Sequence, residues 1–153
     1  MNEKSISARG RPKKLNRDQV VQTALLQYWL DGPANVSIND ICKLTGASKP
    51  SVYREFGSDD GLKKSALDAY HSLAIKPVIE ILETDQHASD TIEALISFIT
   101  QDRTRLGLPQ GCLFAMMRAQ SKQLGPSTCA KLSQMRLELL NTYSAWITRS
   151  KLR

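Results

Sequence analysis

Between residues 48 and 58 the chain reads Ser-Lys-Pro-Ser-Val-Tyr-Arg-Glu-Phe-Gly-Ser, and the spacing of the side chains in this stretch sets what they can do. On a helix advancing 100° per residue, Val52 and Phe56 share one side. Pro50, Ser51, Tyr53 and Arg54 point away from that side, with Lys49 at its edge. Such a face donates hydrogen bonds, carries positive charge and includes a ring. Those are the properties needed to enter a DNA major groove, read base edges and hold phosphate. The plainer reading is the wet surface of an ordinary helical hairpin.

The elements that would position this face are legible upstream. Asn16 followed by Gln19 starts a helix, with Leu15 and Val20 placed to staple the entering chain. Val20, Val21, Ala24, Leu25, Tyr28 and Trp29 form one apolar stripe, and Asp31-Gly32-Pro33 ends it. Ser37 with Asp40 three residues later caps a short second helix whose Ile38, Ile41 and Cys42 turn inward. Gly46 supplies the turn and Ser48 caps the third helix, where Pro50 is tolerated in the first turn. Short helix, glycine turn, short helix is the geometry that presents a reading face.

Charge points the same way. Residues 1–17 hold Lys4, Arg9, Arg11, Lys13, Lys14 and Arg17 against Glu3, so nearly all of the chain's net +6 lies there. Residues 1–14 are polar and without helical period, and we expect a flexible basic arm suited to an acidic partner; a solvated tail is the plainer alternative. Cys42, Cys112 and Cys129 are odd in number and far apart, as in a reduced, cytoplasmic protein. No run reaches the length of a membrane helix, and residues 5–15 are too polar for a signal peptide. His71 and His87 lie far apart, on or near helical segments, with no paired His or Cys motif of a metal site, so neither a metal nor another cofactor is expected. HExxH, GxSxG and the glycine-rich nucleotide loops are absent, which argues against an enzyme.

Beyond Ser58 the pattern stays helical, with no alternation that suggests strands. A fourth helix carries Leu62, Ala66, Tyr70 and Leu73 at successive turns, and Pro77 either kinks or divides it. Ser89 is the next cap, and Ile92, Leu95, Ile96 and Ile99 should form a buried face. Gly107 to Gly111 is a loop, Cys112 to Leu124 a sixth helix, and Gly125-Pro126 starts a last one lined by Leu132, Met135, Leu139, Tyr143 and Trp146. The fold class is all-α, with three N-terminal helices that include the helix-turn-helix and a further set of helices after them.

Several of these residues together resemble one family. Ser37-Ile38-Asn39-Asp40-Ile41, Gly46-Ala47-Ser48, Tyr53-Arg54-Glu55-Phe56, Gly57-Ser58 and Leu62 are similar to the DNA-binding domain of the tetracycline-repressor (TetR) family of bacterial regulators. The basic run Arg9 to Lys14 and the later Gly111-Cys112-Leu113 are also similar to that family. The resemblance implies domains at 1–14 (arm), 15–58 (helix-turn-helix) and 59–153 (ligand binding and dimerisation). It implies base or nearby phosphate contacts for Lys49, Pro50, Ser51 and Arg54, a backbone or thymine-methyl contact for Tyr53, and phosphate contacts for Thr45 and Ser37. Arg11, Lys13 and Lys14 join these as candidate DNA-binding residues.

The function so implied is a sequence-specific transcriptional regulator, a repressor on double-stranded operator DNA, acting as a homodimer and released by a small-molecule effector. Candidate pocket residues are Tyr70, Leu73, Phe98, Phe114, Met117 and Trp146, each of which is also accounted for as plain core. In two places the chain departs from the family. Asp59 stands where the family usually has a phosphate-contacting lysine. The chain also ends at Arg153, inside or just after a seventh helix, so a C-terminally shortened regulatory domain is expected. The alternatives are a shortened regulator that acts by binding a ligand or partner subunit, and a helix-turn-helix module of a recombinase or architectural protein.

Overall fold

The computed structural model describes residues 15–151, and these form an all-helical chain. Asn16 accepts the Gln19 N–H at 3.1 Å and opens α1 (Arg17–Asp31). The stripe expected from periodicity is the buried face of that helix, with Ala24 and Tyr28 fully enclosed and Trp29 nearly so. Helix α2 (Ile38–Thr45) packs against it, α3 (Lys49–Phe56) lies between α2 and α4 (Asp59–Tyr70), and α4 packs along α1. Trp29 meets Tyr70 edge to face, with ring centroids 5.0 Å apart, so the three N-terminal helices and α4 share one core.

Pro77 divides the long helix. Its missing N–H and its ring are incompatible with the regular ladder. The preceding turn, His71–Ile75, widens into a π-helix, with the Lys76 N–H reaching back five residues to the His71 carbonyl. α5 (Lys76–Glu83) follows. The wider turn also shifts the phase of the apolar stripe. Ala74 and Ile75 turn inward and Leu73, expected on the inner face, is 40% exposed.

The distal helices depart further from expectation. α6 (Ala88–Ile99) begins one residue before Ser89, and its cap position is His87, which makes no side-chain capping bond. Of the face expected to be buried, only Leu95 is covered; Ile92, Ile96 and Ile99 are exposed and Thr91 is enclosed instead. α6 packs against α5 along one edge, so the stripe is wider than what covers it. The sixth helix expected over Cys112 to Leu124 is shorter, α7 (Leu113–Ala119), with a single 3-10 turn at Ser121–Gln123. α8 (Pro126–Lys151) runs back along α4 and α5, burying Leu132 and Met135.

Among the described residues no helix is long and apolar enough to cross a membrane, and no group of three or more His, Cys, Asp or Glu converges as metal ligands would.

Candidate nucleic-acid interface

The face expected from sequence is held by three local devices. First, α2 starts with a reciprocal capping box. The Ser37 hydroxyl donates to the Asp40 carboxylate at 2.6 Å, the Ser37 N–H donates to the same oxygen at 2.9 Å, and the Asp40 N–H returns to the hydroxyl at 3.2 Å. The Ser37 hydroxyl, and after it the Ser37 N–H, holds the Asp40 carboxyl below the usual range. Both donors of Ser37 are therefore committed to Asp40. At this helix start the N–H groups without an intrahelical partner are those of Ile38 and Asn39.

Second, the turn is closed by Thr45. Its hydroxyl donates to the Ile41 carbonyl at 2.7 Å and accepts the Ala47 N–H at 3.3 Å, while Gly46 between them sits at φ 69°. A side chain at that φ is strained, which is why glycine holds the corner. The Thr45 hydroxyl proton belongs to the turn.

Third, Ser48 caps α3. It accepts the Ser51 N–H at 3.3 Å and lies 2.7 Å from the Ser51 hydroxyl. One proton fills the bond between the two hydroxyls, so the other is free to point outward.

On this frame Val52 is fully enclosed and Phe56 nearly so, whereas Lys49, Pro50, Tyr53 and Arg54 are exposed and Ser51 is half-buried. The Lys49 ammonium stands 5.9 Å from the Tyr53 ring. Arg54 makes no ion pair among the described residues. Five of the expected contact residues thus share one exposed helix face, and Ser37 and Thr45 flank it in structural roles of their own. Arg11, Lys13 and Lys14 lie outside the described residues.

Acids near this face are neutralised locally. Glu55 pairs with Arg17 of α1 at 2.9 Å, and the Arg17 guanidinium covers the Phe56 ring at 5.4 Å. Asp59, which stands where the resemblance places a phosphate-contacting lysine, pairs with Lys63 one turn along α4. Lys63 is itself buried, its ammonium 5.9 Å from the Tyr28 ring. A carboxylate here would repel a phosphate, and the cation fixed beside it softens that repulsion.

Asp60, which from sequence is simply an acid in the first turn of α4, ties this head to the distal helices. α8 has Gly125 at its cap position and so has no capping side chain of its own. Asp60 supplies one from α4. Its carboxylate accepts the Ser127 N–H at 2.8 Å, the Thr128 N–H at 3.0 Å and the Thr128 hydroxyl at 2.6 Å. Burial works to raise the Asp60 carboxyl, but the bonds from Thr128 and Ser127 outweigh it and hold the group below the ordinary range. The approach is close enough that a Cβ on Gly125 would collide with the carboxylate. A helix start with no capping residue was the signal available in the sequence.

The six candidate pocket residues do not form one site. A cleft of about 410 Å³ opens between the π-turn, α5, the end of α6 and the loop before α7, and of the six only Tyr70 and Phe98 line it. Leu73 faces outward, Phe114 packs against the main core, and Met117 is fully buried within it. Trp146 lines a separate small groove with Thr84 and His87. Ala74, Ile75, Val78, Ile99 and Arg103 also line it and were not among the six pocket candidates. At the cleft wall the Tyr70 hydroxyl donates to Cys112 Sγ at 3.3 Å. Burial first, and then that contact, raise the phenol, with Arg103 nearby acting in the opposite sense.

No family model matches the chain. Two curated relatives do, both described as HTH-type transcriptional repressors from Escherichia coli K12. ComR is 29% identical over 106 residues, covering 69% of this chain and 50% of its own length. BdcR is 27% identical over 108 residues, covering 71% and 53%. The chain spans about half the length of these relatives.

Solved structures share the fold at lower identity. A TetR-family transcriptional regulator from Agrobacterium tumefaciens superposes with a TM-score of 0.76 at 18% identity, over 88% of this chain and 70% of that one. E. coli NemR in its reduced form gives 0.75 at 16%, with the same coverage. A TetR regulator from Legionella pneumophila gives 0.71 at 13%, over 91% and 75%. The chain therefore has the TetR-type fold, and its sequence relatives are named repressors.

Proposed function

We propose that this chain is a DNA-binding transcriptional regulator of the TetR type, a repressor that reads its operator with α3. The observation that carries the reading is the exposed face of Lys49, Pro50, Ser51, Tyr53 and Arg54 on a helix anchored by Val52 and Phe56. A short helix presented behind a glycine corner enters the major groove with its N-terminal residues toward the bases. Lys49 and the first-turn N–H groups of α2 serve phosphate, while Ser51 and Arg54 serve base edges. In this reading the chain is a cytoplasmic binding protein and not an enzyme.

The working unit is a homodimer, whose two heads address half-sites about 34–36 Å apart. A small molecule in the cleft between the π-turn and α6 favours another placement of α4 and with it of the head. Coupling of about 1–3 kcal/mol suffices to change occupancy by roughly 5–150-fold.

The reading is tested by selecting bound sequences from random DNA and measuring affinity for the winner against salt. A palindrome should emerge, and the logarithm of affinity should fall steeply with the logarithm of salt, by about 0.9 per neutralised phosphate. Removing residues 1–14 should flatten that slope. No enriched sequence, or binding indifferent to salt, would sink the proposal.

A further inference from the structure

If the cleft is the seat of an effector, its lining also carries information about the class of molecule it takes; this inference rests on the proposed regulator function. The walls are built from the Tyr70, Phe98, Ile75, Val78 and Ile99 side chains, all apolar over most of their surface, and the volume of about 410 Å³ suits a small organic ligand. Arg103 is the one charged residue among those lining it, and no carboxylate lines it.

The Arg103 guanidinium has five N–H donors. Of these, one is seen donating to the Phe98 carbonyl, at a long 3.4 Å, and the group lies 5.0 Å from the Phe98 ring. Neither contact cancels its charge. The adjacent acid is not its partner either. Asp102 accepts the Thr104 N–H at 3.0 Å and the Thr104 hydroxyl at 2.5 Å, and faces Arg105 at 3.9 Å. A half-buried guanidinium on an apolar wall, with no anion beside it among the described residues, has its charge incompletely compensated. A planar fork of this kind matches a carboxylate through two parallel hydrogen bonds.

We propose that the cleft binds a small aromatic or aliphatic carboxylate, its acid group on Arg103 and its apolar body against Phe98, Ile75 and Val78. A neutral apolar ligand would leave the guanidinium without an anion, and a cation would meet it as a like charge. The apolar body would rest on the π-turn, in the segment that continues directly from α4.

Equilibrium binding of three probes of nearly equal shape to the full chain tests this: naphthoate, the neutral naphthamide and cationic naphthylmethylammonium. Naphthoate should bind saturably, roughly tenfold to a hundredfold tighter than the amide, with the cation weakest. Arg103→Gln should erase the difference between acid and amide, and Arg103→Lys should restore part of it. Equal affinity of acid and amide for the native chain overturns the proposal, as does no binding of naphthoate or a preference that survives Arg103→Gln. The comparison on the native chain decides the matter even if Arg103→Gln proves unstable by thermal melting. A chain that holds its selected operator but ignores naphthoate would lose only the ligand assignment. A chain that binds naphthoate through Arg103 yet selects no DNA sequence would keep the ligand site and lose the regulator reading.

Discussion

The two halves of this molecule start their helices differently. In the N-terminal head (α1 to α3), and at α4 directly after it, each start is capped by the residue before it, acting on an N–H three positions on: Asn16 on Gln19, Ser37 on Asp40, Ser48 on Ser51 and, for α4, Ser58 on Gly61. In the distal half α5 and α6 have no side-chain cap, α7 has a long 3.5 Å contact to a thiol, and α8 borrows the carboxylate of Asp60. The head's boundaries are written into short windows of sequence. The distal half's boundaries depend on what lies next to them in space.

That contrast can be broken at several points, and the largest effect is expected where the halves meet. Trp29 joins them through Tyr70, so Trp29→Ala should destabilise the chain by about 3–5 kcal/mol in denaturant unfolding. Loss of the α1 signal alone, with α4 intact, would mean that the head melts as a separate unit. Arg54→Ala leaves the fold unchanged and should cost about 1–3 kcal/mol of operator affinity, relaxing preference at one base position. Unchanged preference would remove Arg54 from the reading face.

Caps probe the contrast directly. Asp60→Ala should cost about 0.5–2 kcal/mol and speed amide exchange at Ser127 and Thr128, far along the chain from the substitution. Ser48→Ala should cost a similar or smaller amount, with faster exchange confined to the first turn of α3. If both variants disturb the same amides, the contrast between local and borrowed caps fails.

The smallest effect is a pH dependence. Asp60 has its carboxyl held below the ordinary value, so its contribution to stability is present above about pH 4, where the unfolded carboxyl is ionised. It is lost as pH falls through the lower folded value. Thermal melts of the native chain should therefore drop more between pH 5 and about pH 2 than those of Asp60→Ala; parallel curves would deny Asp60 that role.

This division also explains what could be read from residues alone. Ser37 with Asp40, the corner at Gly46 and the inward pair Val52 and Phe56 each lie within a few positions of what they fix, and each stands where the sequence places it. The distal half gave an apolar stripe on α6 but no information on what covers it, so Ile92, Ile96 and Ile99 were expected inside and stand outside. The π-turn enforced by Pro77 rotated Leu73 off its face, a phase change that a fixed helical period cannot register. Arg103 escaped notice because its meaning comes from the walls around it, which are contributed by four separate segments.

Asp60 has one more consequence, for anyone who would recombine this protein. A chimera that takes a foreign reading head and rejoins this chain at Ser58 keeps Asp60 and Gly125 together, and α8 starts as it does here. A splice placed after α4 imports a foreign residue at position 60. Unless that residue is an acid, the graft leaves the Ser127 and Thr128 N–H groups without their acceptor. The exchangeable head of this chain therefore stops at Ser58, and α4 travels with the distal half although it shares its core with α1.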